Sequence, residues 1–291
     1  MKKVNYLFLL VIFISATALK SDKPAYSIFN EKGKEVKYKK MLGAALEADI
    51  VMFGESHNNP ISHWLQLQLT EDLFAEKGTS LVLAAEMFEA DNQMILDEYL
   101  SGKIKQSSFE AEARLWDNYK TDYKPLIEFA KENELNFVAS NIPRRYASVV
   151  HKKGFEGLDP LSDVAKTFIA PLPPDYDPEL QGYKAMIEMM SGMGSGHANP
   201  NLPKAQAIKD ATMAHFTLAN WEPGKLVLHF NGSYHSENFE GIVWYLKKQN
   251  PDLKILTITT VEQDEIEGLD EENTGTANYT ICVPSDMTKT Y

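Results

Sequence analysis

Short apolar runs at residues 49–53, 81–85, 136–139, 226–230 and 254–258 alternate with helix-length amphipathic segments. Runs of this length without polar alternation are the pattern of strands covered on both faces. Strands of that kind alternating with helices imply an α/β fold, a mostly parallel sheet flanked by helices. Residues 279–283 read as a further strand at the sheet edge. Residues 60–77 carry Ile61, Leu65, Leu69 and Leu73 at four-residue spacing with Trp64 beside them. That spacing predicts a helix with one buried stripe, started by Asn59 as cap and Pro60 as first residue. Residues 236–249 repeat the design, with Ser236 as cap and Phe239, Ile242, Val243 and Leu246 turned inward.

One segment departs from the alternation. Residues 171–203 begin with Pro171, Pro173, Pro174 and Pro178 and continue with Leu180, Tyr183, Ile187 and Met190 at helical spacing. They end in the glycine-rich stretch that carries Gly192, Gly194, Gly196 and His197. The segment reads as a small helical insertion or lid, spanning residues 165–204 within an α/β domain of residues 25–290. Met186, Met189, Met190 and Met193 give it a soft, adaptable apolar surface.

Two phrases of one chemical shape follow predicted strands: Gly54-Glu55-Ser56-His57 and Gly232-Ser233-Tyr234-His235. In an open α/β sheet, ligands bind in the crevice outside the carboxyl ends of the strands. That edge would collect Glu55, His57, Glu86, Asn141, Asn231 and His235, with His63 in the first turn of the helix after the first strand. The helix at 204–221 adds Gln206 and Asp210, four residues apart on one face. A convergence of titratable groups at one edge is the place to look for chemistry. Arg144 and Arg145, at a helix start, oppose the helix dipole unless an anion or a carboxylate meets them. A salt bridge to one of the chain's many carboxylates is the plainer reading of that pair.

Composition narrows the classes of function. Lys2 and Lys3, the apolar run 7–14 and Ala16-Thr17-Ala18 have the form of a cleavable export signal over residues 1–18. The apolar run is too short for a comfortable membrane span. With the leader removed, 29 basic residues fall to 27 against 41 acidic ones, a net charge near −14. Such a charge argues against nucleic acid and anionic membrane surfaces as partners. Cys282 is the only cysteine, so no internal disulfide forms and no cysteine sits near the cleavage point for lipid anchoring. Covalent haem attachment through Cys-x-x-Cys-His is excluded for the same reason. The chain has no His-Glu-x-x-His, no Gly-x-Ser-x-Gly, no phosphate-binding Gly-x-x-x-x-Gly-Lys and no dinucleotide fingerprint.

Taken in order, several phrases resemble the ChaN-like haem-binding family, part of a wider group with the Tiki and erythromycin-esterase proteins. They are residues 53–60 with His63; Glu86-Met87-Phe88 with Asp91 and Gln93; Trp116 and Tyr119; and Asn141-Ile142-Pro143-Arg144. Ala205-Gln206 with Asp210 and Met213-Ala214 follow, then Asn231-Gly232-Ser233 with His235. Each phrase is weak alone, and their number, order and spacing carry the resemblance from about residue 48 to 260. It implies an exported α/β protein with a helical subdomain, periplasmic and concerned with haem or iron uptake. Haem would be held non-covalently near the insertion, with Tyr176, Tyr183 or His197 as iron ligand beside Met190. Arg144, Arg145 or Lys184 would meet its propionates. A small exposed lid is compatible with a haem shared in a homodimer, and a haem-uptake membrane system would be the delivery partner. The Tiki relatives imply the alternative, a metal-dependent hydrolase. There His57, His235 and Glu55 would hold a divalent metal ion, and Glu55 or Glu86 would activate its water.

Overall fold

The computed structural model describes residues 23–192 and 199–291. The expected leader at 1–18 and His197 lie outside the described residues. Among the described residues, seven strands form one sheet: β1 (Ser27–Asn30), β2 (Ile50–Glu55), β3 (Leu81–Glu89), β4 (Asn136–Asn141), β5 (Leu226–Gly232), β6 (Ile255–Gln263) and β7 (Tyr279–Pro284). Their order is β1-β7-β6-β2-β5-β3-β4. Every pairing is parallel except β1 with β7. The α/β architecture read from the alternation is therefore the one observed. The strand expected at an edge, β7, is second from it, because the four-residue β1 pairs on its outer side. A run as short as Ser27–Asn30 gives too little periodicity to be seen in the sequence.

The helices are α1 (Tyr38–Leu46), α2 (Pro60–Lys77), α3 (Gln93–Leu100), α4 (Gln106–Glu112) and α5 (Lys124–Glu132). After β4 come α6 (Arg144–Lys153), α7 (Asp163–Lys166), α8 (Gln181–Gly192), α9 (Leu202–Ala219) and α10 (Ile242–Gln249). Strand side chains alternate between two cores. Val51 and Phe53 join Leu65, Leu69 and Leu73 of α2 on one face. Ile50 and Met52 join Ala211, Met213 and Ala214 of α9 and Ile242, Val243 and Leu246 of α10 on the other. Each such side chain removed from water contributes about 1.5–3 kcal/mol, which explains why β2 is apolar at consecutive positions. Asn59 caps α2 as expected, its Oδ1 accepting from the N–H groups of Ile61 and Ser62 at 3.0 and 3.2 Å.

The helix expected over 236–249 starts six residues late. Residues 233–239 form two short 3-10 turns, and Asn238, Phe239 and Gly241 hold φ of 57°, 59° and 55°. A Cβ at Gly241 would lie 2.3 Å from the His235 carbonyl oxygen. The chain thus folds back on His235 before the helix begins, Ser236 caps nothing, and Phe239 is exposed rather than inward. Of the segment at 171–203, residues 171–180 carry no regular element, α8 follows, and α9 begins at Leu202.

Two glycines set how closely β2 and β5 approach the site. A Cβ on Gly54 would meet the Ser233 Cα at 2.9 Å and the Ile258 carbonyl at 3.1 Å, both backbone atoms. Gly54→Ala should therefore lower stability by about 1–3 kcal/mol through overpacking. Gly43→Ala, inside α1 with nothing within 4 Å of its Cβ, should raise it by up to about 1 kcal/mol. Urea denaturation of both variants checks the pair of opposite signs; a neutral Gly54→Ala would show that the strand ends have room to spare.

Candidate functional site

The site lies where β2, β5, β3 and β4 end side by side. Parallel pairing places Gly54 opposite Asn231 and Glu55 opposite Gly232, so the two glycine phrases are neighbours in space. The His57 ring crosses over Gly232, where a Cβ would come within 2.8 Å of its Cε1 and Nε2. From the next strand, the Glu86 Oε2 accepts the Gly232 N–H at 2.8 Å. From β4, Asn141 Nδ2 donates to the Glu86 carbonyl at 3.0 Å.

Two charged groupings meet there. In the first, buried Glu55 accepts from Tyr123 Oη at 2.6 Å and from Gln66 Nε2, and its Oε1 lies 2.8 Å from His57 Nδ1. His63 sits behind, its Nε2 donating to the His57 carbonyl at 2.9 Å. In the second, His235 lies between two carboxylates. Its Nε2 is 3.2 Å from Glu86 Oε1 and its Nδ1 meets Asp210, whose other oxygen accepts from Tyr183 Oη at 2.8 Å. Gln206 Nε2 rests against the same ring at 3.0 Å.

Burial opposes charge on His235, but Glu86 and Asp210 outweigh it and push its pKa up to about 10. Burial likewise opposes the Glu86 carboxylate, yet His235, His57 and the Gly232 N–H hold it well below the ordinary range. Burial pushes Asp210 up despite His235 and Tyr183. His57, 37% exposed, is opposed by burial and raised overall by Glu55 and Glu86. In contrast, His229 in the middle of β5 is lowered to about 4 by burial, a neutral core histidine bonded to Ser140 and Asn231.

Two cavities flank this pair of histidines. One, about 550 Å³, is lined by His57, Glu86, Trp116, Asn141, Arg144 and Lys209, with His235 at its floor. The other, about 540 Å³, is lined by Glu55, His57, Met186, Gln206, Tyr234 and His235. Glu55, His57, Glu86, Asn141, Gln206, Asp210 and His235 are thus brought together as the sequence led one to expect. Asn231 is not on a cavity wall, being buried with its amide bonded to Ser236 at 3.0 Å. His63 lines a separate recess with Trp64 and Thr290. Arg145 is paired with Asp91 at 2.6 Å, the salt-bridge reading of that residue, and Lys184, expected at a propionate, is paired with Glu179. No ion pair engages Arg144 among the described residues.

Two of the expected haem ligands, Tyr176 and Tyr183, are in contact with each other. Tyr183 is buried and its hydroxyl is given to Asp210, with burial and Asp210 pushing the phenol far above its ordinary value. Tyr176 is half-buried and stacks on Tyr183 at 5.7 Å. The Met190 side chain and His197 lie outside the described residues. For the divalent-metal alternative, no group of three or more His, Cys, Asp or Glu among the described residues is disposed to hold an ion. Both nitrogens of His235 face carboxylates, Nε2 towards Glu86 and Nδ1 towards Asp210. Gln66, Tyr123 and Lys209 escaped the sequence reading. Gln66 had a signal, since Ser62, Gln66 and Thr70 form a polar row at four-residue spacing within a buried helix face. Tyr123 and Lys209 had none.

Residues 41–246 match the family described as haem-binding uptake, Tiki superfamily, ChaN. The chain belongs to that family. Among solved structures it resembles a ChaN of Campylobacter jejuni described as binding haem cofacially, at 18% identity and a TM-score of 0.67. That likeness covers 88% of this chain and 96% of the other. It also resembles a mutant of the erythromycin esterase EreC in its open conformation, at 10% identity and a TM-score of 0.51, covering 89% and 98%. At these identities the structural likenesses show the fold. A 119-residue stretch is 26% identical to the chloroplastic protein RETICULATA-RELATED 5 of Arabidopsis thaliana, 39% of this chain and 16% of that one. No described helix is long and apolar enough to cross a membrane.

The clamped imidazolium makes a pH prediction. Unfolded, His235 titrates near its ordinary value of 6.5; folded, near 10. Its stabilisation is full below pH 6.5 and is lost as pH rises toward 10. Glu86, held low, stabilises above its unfolded value and ceases to as pH falls through its folded one. The melting temperature should therefore fall from about pH 6.5 to 10, and His235→Gln should flatten that fall while lowering stability at about pH 6. Thermal unfolding followed by circular dichroism reads both; parallel curves for the two proteins would remove His235 as the source.

Proposed function

We propose that this protein is exported and binds haem non-covalently in the service of iron acquisition, receiving it from or passing it to a haem-uptake membrane system. Membership of a haem-binding family carries the reading. The surface of α8 supports it, since Ile187 and Met189 are exposed. Exposed apolar side chains, one of them a methionine, suit a flat porphyrin. Bound there, haem would supply its redox-active iron. Tyr176 or His197 would be the iron ligand, because the Tyr183 hydroxyl already serves Asp210. A haem shared between two copies at this face would make the bound form a homodimer.

Purified protein should give a saturable Soret shift on titration with hemin. The double substitution Ile187→Glu and Met189→Glu should weaken binding at least tenfold, about 1.4 kcal/mol or more. His57→Ala should leave binding unchanged, because His57 sits in the strand-end cavities. Loss of the shift in His57→Ala with retention in the α8 variant would place haem in those cavities and overturn the α8 reading.

A second reading rests on a different observation, the half-exposed His57 backed by buried Glu55 at 2.8 Å. An imidazole oriented by a carboxylate beside a cavity is suited to general acid–base work on an ester or amide. Hydrolysis that disappears in His57→Ala while haem binding persists would support it.

A further inference from the structure

The cavity under Arg144 has features that neither haem at α8 nor the histidine pairs account for. This chain carries 41 acidic residues against 29 basic, and two of the cations beside the site are engaged. Arg114 bonds to Glu89 at 2.7 Å and to Asp91, and Arg145 bonds to Asp91. Arg144 and Lys209 have no ion pair or side-chain hydrogen bond among the described residues, yet both line the same cavity. They come from different elements, Arg144 from the first turn of α6 and Lys209 from the middle of α9. The first turn of α6 also lacks a side-chain cap, because its cap residue is Pro143. Unpaired cations there meet a helix dipole of the same sign, which an anion would reverse.

A second observation is independent of charge. Asn141 is only 8% exposed and lines this cavity, and its Oδ1 has no hydrogen-bond partner among the described residues. Its Nδ2 is held by the Glu86 carbonyl, which fixes the amide and leaves the acceptor, itself buried, without a partner. A buried acceptor without a partner costs about 1–3 kcal/mol, recovered when a donor reaches it. The cavity therefore offers two unpaired cations and an unpartnered acceptor; of the carboxylates that also line it, Glu86 is held by His235 and the Gly232 N–H and Glu89 by Arg114, while Asp117 has no ion pair among the described residues.

We propose that this cavity binds a small hydroxylated organic anion, a carboxylate or a phosphate ester. Arg144 and Lys209 take its charged group, and Asn141 Oδ1 accepts a hydrogen bond from its hydroxyl. The volume, about 550 Å³, is that of a small-molecule site. Trp116 and Ile142 supply its apolar walls. The site does not depend on haem at α8. Haem propionates share the carboxylate chemistry, so the two sources are separated by experiment.

Isothermal titration calorimetry of the full chain would use citrate, tricarballylate (citrate without the hydroxyl) and glucose 6-phosphate, with hemin titrated in parallel. Saturable binding of citrate or glucose 6-phosphate is expected, at least tenfold weaker in Arg144→Gln and in Lys209→Gln. Tricarballylate should bind at least tenfold more weakly than citrate, and Asn141→Ala should abolish that difference. Thermal melts of each variant separate loss of binding from loss of fold. No saturable binding of citrate or glucose 6-phosphate overturns the proposal. So does binding unaffected by both cation substitutions, or tricarballylate binding as tightly as citrate. If Arg144→Gln instead weakens hemin alone, Arg144 serves a propionate and the proposal fails while the haem reading stands. Failure of the hemin titration with anion binding intact would remove the haem reading and leave the anion site standing.

Discussion

The parallel pairing of β2 with β5 is the constraint on which the rest of the site depends. With Glu55 opposite Gly232, the two strand ends deliver their histidines to adjoining loops, and only a residue without a side chain can stand between them. Gly232 yields its space to His57 and its N–H to Glu86. Gly54 lets the backbone at Ser233 come close enough for the following turn to fold back over His235. Move either strand by one residue and the carboxylates would lose their partners, because a register shift turns every side chain to the other face. Burial on both faces of the sheet enforces that register through the apolar residues of β2, β3 and β5.

Placing so much charge in a buried position is costly unless each charge is matched. Glu86, His235 and Asp210 meet this by lying in one row, with donors from Gly232 and Tyr183 at its ends. Glu55 is matched differently, by two neutral donors and one imidazole. The consequence is a division of labour between the histidines. His235, buried and clamped between Glu86 and Asp210, has its pKa pushed up to about 10 and acts as a positive charge through neutral pH. His57, 37% exposed, is the more accessible of the two in the cavities that both histidines line.

How much of this was legible in the sequence varies with the physics. β2, β3, β4, β5 and β6 were visible because burial on two faces writes an unbroken apolar run, and α2 because its stripe and cap agree. The glycine phrases marked the site because strand ends that approach closely need residues without Cβ atoms. The start of α10 was not legible, since the turn over His235 is imposed by packing on its carbonyl and overrides a good local helix pattern. Nor was the role of Tyr183, which read as a candidate iron ligand on an insertion. Its hydrogen bond to Asp210 joins residues on two different helices, a pairing that no spacing within either segment announces. The lack of an ion pair at Arg144 among the described residues was equally hidden, because the same acidic surroundings that occupy Arg145 suggested a partner for both.

That Tyr183 bond couples the helix proposed to meet haem with the buried charges of the strand ends. Tyr183 lies on α8, whose exposed residues suit haem, while Asp210, His235 and Glu86 lead inward to the cavity under Arg144. A displacement of α8 that withdraws the hydroxyl leaves the buried Asp210 with one donor fewer. A hydrogen bond to a charged group contributes about 1.5–3 kcal/mol, so such a displacement is resisted by that much. Met186, Ile187 and Met189 lie one or two helical turns beyond Tyr183 on the same helix, close enough that repacking them on a ligand bears on the anchor. The inner end of α8 is therefore held by the polar row of the site, and its outer face is left to adapt. A binding surface that must accept a rigid planar ligand without disturbing buried charge needs both properties at once.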